Sequence, residues 1–146
     1  MYNYIARHGE MEHLGDVFRR DKDPLRTLHD FVRVFAKFWA SDRDLIRRLH
    51  GLGAIDSEIG EGLRARNERR QNGARVIVER YCRMYPPPTS LQQPIAIATL
   101  HMLTSYETFD GLAVPGRNLD EVVAIICKMA DQAIGFTPRA VRRDSK

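Results

Sequence analysis

Apolar residues along this chain return every three or four positions, and no run alternates between apolar and polar inside hairpin signals. That spacing gathers side chains on one face of a helix and would scatter them on a strand. The chain is therefore read as all-α, a bundle of about six helices. Leu25, Leu28, Phe31, Phe35 and Phe38 make the clearest stripe, with Arg26, Asp30, Arg33 and Lys37 opposite, and predict a helix over 24–40. Asp23 is placed to cap it, and Pro24 takes the first helical position, where a missing N–H costs nothing. A shorter segment, about 9–18, carries Met11, Leu14, Val17 and Phe18 at the same spacing, and the charged run RRDKD at 19–23 separates the two.

Ser41 is read as the cap of the next helix, which turns Leu45, Ile46 and Leu49 inward and ends at Gly51 and Gly53. Asp56 or Ser57 opens a longer helix that runs to about Tyr85, where Pro86, Pro87 and Pro88 stop it. Its first half is polar, and its second is apolar on one side through Ala74, Ile77, Val78, Tyr81, Cys82 and Tyr85. Two last helices are predicted over 91–113 and 119–135. Asn118 with Glu121 three residues on gives the second a capping-box start. Both are apolar over far more than a ~100° stripe, so each needs cover on two sides. The tail, 137–146, carries Arg139, Arg142, Arg143 and Lys146 and is expected to be disordered.

With 146 residues, 43% of them apolar, the chain is long enough for one domain with a sizeable core. A formal charge of +4 is too mild for a polyanion-coating protein. Cys82 and Cys127 cannot build a disulfide framework, which favours a reducing, cytoplasmic setting. No run approaches the ~18 apolar residues of a membrane span, and the start, Met1-Tyr2-Asn3-Tyr4, lacks the features of a signal peptide, so no membrane role is expected. Glu10-x-x-His13 occurs in a single copy where a di-iron bundle needs two, so neither metal nor cofactor is expected. None of the motifs GxSxG, HExxH, GxxxxGK[ST] or GxGxxG is present, no residue is assigned as catalytic, and the chain is read as not an enzyme. Arg64, Arg66, Arg69 and Arg70 are interleaved with Glu61 and Glu68 and are read as a solvated helix face rather than a phosphate-binding surface.

Phe31, Phe35, Phe38 and Trp39 share one helix, Tyr81 and Tyr85 another, while His101, Thr104, Ser105 and Thr108 interrupt the apolar run around Leu100. Two readings stand here. One is plain core with a few satisfied hydroxyls. The other is an apolar pocket with a few convergent polar groups, the usual make-up of a small-molecule site.

The run LHMLTSYETFDGL at 100–112, followed by Gly116-Arg117 and LDEVV at 119–123, resembles the C-terminal regulatory half of tetracycline-repressor-type (TetR-family) transcriptional regulators. FWASDRDLIRRL at 38–49 and GLRARNERR at 62–70 fit the same pattern, so that the resemblance spans about 23–134. Such regulators begin with a helix-turn-helix DNA-binding domain. Here Tyr2-Asn3-Tyr4-Ile5 through Glu10-Met11 resembles only the closing segment of that domain, with His8 where Lys or Arg is usual.

The resemblance implies a connector from the DNA-binding side at 1–22, a regulatory domain at 23–136 and a basic tail at 137–146. It implies a homodimer whose last two helices pair with their copies in a four-helix bundle, through Tyr106, Phe109, Val122, Ile126, Met129 and Ala133. It also implies a small, largely apolar effector in each subunit, lined by Phe35, Trp39, Tyr81, Tyr85, Leu100, His101 and Thr104, whose binding shifts the 11–18 segment. Operator DNA would be reached only through the missing N-terminal domain. The alternative is a stand-alone helical dimerisation scaffold that binds nothing small.

Overall fold

The computed structural model describes residues 14–19 and 23–135, and among them the chain is all-helical, with seven helices and no strand. They are α1 (Leu14–Val17), α2 (Pro24–Ser41), α3 (Arg43–Gly53), α4 (Ser57–Met84), α5 (Gln92–Leu103), α6 (Tyr106–Leu112) and α7 (Leu119–Ile134). The single-copy Glu10-x-x-His13, most of the 1–22 connector and the 137–146 tail lie outside the described residues. No described helix is long and apolar enough to cross a membrane.

The caps explain most of the boundaries. Asp23 caps α2, its carboxylate accepting from Arg26 N at 3.4 Å while Thr27 Oγ1 donates to the Asp23 carbonyl at 3.1 Å. Asp56 caps α4 by accepting from Glu58 N and Ile59 N at 3.0 and 3.1 Å. Asn118 and Glu121 form the expected capping box on α7, both bonds at 2.9 Å. Two boundaries differ from expectation. Ser41 is the last residue of α2, its hydroxyl donating back to the Phe38 carbonyl at 2.6 Å, and Asp42 caps α3 through Leu45 N at 3.1 Å. The predicted 91–113 helix is two helices. Thr104 Oγ1 donates to the Leu100 carbonyl at 2.9 Å, Ser105 turns extended, and its hydroxyl caps α6 through Thr108 N at 3.2 Å. Adjacent hydroxyls offered the backbone an alternative to the helical ladder, and the chain took it.

Helix α2 packs on α7, α7 on α5, α5 on α4, and α4 back on α2, which closes a four-sided bundle. Leu28, Phe31, Val32, Ile77, Val78 and Val122 are its most deeply buried side chains. Helix α3 leans on α4 where two glycines meet: a Cβ on Gly60 would sit 2.7 Å from the Gly53 carbonyl oxygen, closer than any real contact. A second apolar cluster, Phe38, Ile46, Leu49 and Tyr106, joins α2, α3 and α6.

The sequence-based interface is corrected here. Tyr106, Phe109, Val122 and Ile126 are each 6% exposed or less within the single chain, so they are core and offer no surface to a second copy. Their period marked a buried face without marking whose atoms bury it. Met129 and Ala133 are half-buried on α7. The apolar side left uncovered runs along α5 from its N-cap, where Leu91, Ile95 and Met102 fall on one face at 71, 60 and 57% exposure, Met102 also bordering the cavity described below.

Candidate functional site

A partly enclosed cavity of about 760 Å³ lies between α2, α3, α4 and the α5–α6 break. Its apolar wall comes from Phe35, Phe38 and Trp39 of α2, Ile46 and Leu49 of α3, and Leu63 of α4. The aromatic side is rigid. Trp39 Nε1–H donates to the Thr104 carbonyl at 2.9 Å. Its ring meets Phe38 edge-on at 4.8 Å and Tyr106 at 5.7 Å. Tyr106 stacks on His50 at 4.6 Å, and His50 Nδ1–H donates to the Ile46 carbonyl at 2.9 Å. The Tyr106 hydroxyl is buried without a well-formed hydrogen bond, with the Arg47 guanidinium as its neighbouring cation.

The polar wall belongs to α4 and the end of α5. Arg64, Arg66, Asn67, Arg69 and Arg70 line it from α4, with His101 and Glu107 facing them. Arg70 is 6% exposed, which corrects its assignment to a solvated face; Arg64 and Arg69 are exposed as expected, and Arg66 is half-buried. Its Nη1 donates to the His101 carbonyl and, at 3.2 Å, to Thr104 Oγ1; its Nη2 donates to Asn67 Oδ1. Arg70 thus caps the carbonyl end of α5, where a cation is favoured. Burial pulls the guanidinium pKa down to about 10, opposed by the nearby Glu107 charge.

His101 is tied into the same group. Its Nε2 lies 3.0 Å from Asn67 Oδ1, and because Arg70 can only donate, the Asn67 atom between them is an acceptor. His101 therefore donates from Nε2–H. Burial, then the adjacent Arg70 charge, lower its pKa, and it stands neutral near pH 7. Ser105 also lines the cavity, but its hydroxyl is engaged with Thr108 Oγ1 at 3.2 Å and with the α6 cap. Among the described residues no three His, Cys, Asp or Glu side chains converge on a metal-sized site.

Of the seven predicted lining residues, Phe35, Trp39 and His101 do line the cavity. Thr104 stands behind Arg70 as its hydrogen-bond acceptor. Leu100 points into the core. Tyr81 and Tyr85 form a ring pair at 4.9 Å, but they sit eleven and fifteen residues beyond Arg70 on α4, about 16 Å or more along the axis. Tyr81 is core and Tyr85 is exposed, and neither reaches the cavity. The residue sequence reasoning missed is Arg70. Its signal was register: it stands four and seven positions before the buried Ala74 and Ile77.

Fold and site define an all-helical protein built around a cavity with an aromatic wall facing a cationic one. No protein-family model, curated protein or solved structure matches the chain.

Proposed function

We propose that this chain is the ligand-sensing and dimerising domain of a TetR-type transcriptional regulator, acting in the cytoplasm on a small, largely apolar effector and catalysing nothing. The observation that carries this is the cavity: about 760 Å³, with rigid aromatic rings on one side, falls within the ~300–1,000 Å³ of small-molecule sites. Leu14 of α1 also touches the cavity, and Arg80 of α4 holds the α1 end by donating to the Phe18 carbonyl at 3.0 Å. A ligand that displaces Leu14 therefore has a mechanical route to the segment preceding α2, as the sensing role requires. In this scheme operator DNA is contacted only through a helix-turn-helix domain on the N-terminal side of the connector at 1–22.

The homodimer is supported by the exposed Leu91, Ile95 and Met102 stripe on α5. A second copy is the natural cover for such a face. The same stripe favours the second reading, a dimerisation scaffold with no small ligand, and one experiment separates the two. Melting curves of the whole chain with a panel of small apolar compounds, read by Trp39 emission, should rise with the ligand that fits. At ~100 times its Kd the gain is about 2.7 kcal/mol. A panel that moves neither the melting temperature nor the Trp39 emission favours the scaffold.

A further inference from the structure

We infer that the ligand carries a carboxylate on its apolar body, and that this carboxylate docks on Arg70. The inference rests on the sensing role proposed above and adds the chemical class of the effector. Arg70 is the most deeply buried cation of the cavity wall, and each of its hydrogen bonds ends on a neutral oxygen. A guanidinium has five N–H donors. Two on Nη1 and one on Nη2 are used, which leaves the Nε–H and the second Nη2–H without a partner among the described residues. On a planar guanidinium the Nε–H and an Nη2–H share one edge, the arrangement that a carboxylate meets with two parallel bonds. The lining holds four arginines against one acid, Glu107, which is exposed and makes no ion pair with Arg70.

Capping α5 accounts for the Arg70 bonds to the His101 carbonyl and Thr104. It does not account for a buried charge without a direct ion pair on the wall of a cavity, because a neutral donor would cap as well. The opposite wall is largely apolar through Phe35, Phe38, Trp39 and Leu49, with the rings of His50 and Tyr106 beside them. A ligand suited to both walls has one anionic end and an aliphatic or cyclic remainder.

The test is calorimetric titration of the whole chain near neutral pH with octanoate and cyclohexylacetate, each against its own primary amide, with Trp39 emission followed in parallel. The acids should bind on the order of ten- to a hundredfold tighter than the amides, the range of a charge-assisted hydrogen bond over a neutral one. The preference should vanish in Arg70→Met and survive in part in Arg70→Lys, which keeps the charge and loses the fork. If Arg70→Met does not fold, the wild-type ratio and Arg70→Lys decide. Acid and amide binding equally to wild type overturns the carboxylate and leaves the sensing role standing. A preference that persists in Arg70→Met overturns Arg70 as its dock. If acids and amides both fail while other apolar compounds bind, the inference is wrong and the cavity remains a sensor. If the apolar panel fails as well, the sensing role falls with it.

Discussion

Replacing Arg70 with Met separates a residue kept for a ligand from one kept for the fold. Burial holds the guanidinium pKa down to about 10, a penalty of roughly 3 kcal/mol at ~1.4 kcal/mol per pH unit. Against it stand the bonds to the His101 carbonyl, Thr104 and Asn67, about 0.5–1.5 kcal/mol each and about 1.5–4.5 kcal/mol together, the charge itself being counted already in the burial penalty. Removal strands little. Asn67 Oδ1 keeps the His101 Nε2–H at 3.0 Å, and the His101 carbonyl keeps only a long, shared contact at 3.3 Å with the Thr104 hydroxyl, whose main acceptor is the Leu100 carbonyl at 2.9 Å. Met also fills much of the volume and adds apolar contact. The two sides nearly cancel, so Arg70→Met should unfold in urea within about 1 kcal/mol of wild type in the absence of ligand. Phe31→Ala, a fully buried control, should lose about 3–5 kcal/mol in the same assay. A loss of about 3 kcal/mol or more in Arg70→Met would refute the reasoning, since breaking a compensated buried charge pair costs that much. Arg70 would then be a strut of the α4–α5 contact.

Gly60→Ala should destabilise by about 1–3 kcal/mol despite its better helix propensity, because the new Cβ must push back the Gly53 carbonyl, backbone that cannot turn aside; thermal melts of the single variant check it. Ile95→Glu, on the exposed α5 stripe, should halve the particle mass in light scattering and leave the helical circular-dichroism signal unchanged, and a wild-type monomer would remove the dimer. Stability should fall on acidification. The His101 pKa is lowered in the fold, so its contribution is complete above the unfolded value of ~6.5 and is lost as pH drops through that value towards the folded one; His101→Gln should flatten that part of a melting-temperature profile. Asp110, held below the usual carboxylate range chiefly by Arg43 at 2.6 Å and also by Arg47 at 3.0 Å, adds stability that is present above the ordinary carboxylate pKa and lost at lower pH as it protonates, a step Asp110→Asn should remove.

What was legible in the sequence follows from what periodicity measures. The stripe from Leu28 to Phe38 and the Asn118–Glu121 box depend on neighbours three and four residues away, and both stand as read. The break at Thr104–Ser105 was not visible as period because the apolar pattern runs straight across it; only the side-chain hydroxyl competing for a backbone partner marks it. The interface residues failed for a different reason. Val122 and Ile126 must be buried, but burial by α2 and by a second α7 leave the same trace in one chain, and topology alone chooses between them. Arg70 combines both lessons. Composition placed it with Arg64 and Arg69 in a charged run, while register placed it with Ala74 and Ile77 in the core, and register prevailed. A charge that the helix period carries inward against its own solvation stands out, since Met or Leu would continue the stripe of α4 without that penalty. The conflict between what Arg70 is and where the helix puts it therefore marks the site more sharply than any motif in the chain, and it does so beside the aromatic wall that Phe35 and Trp39 had already indicated.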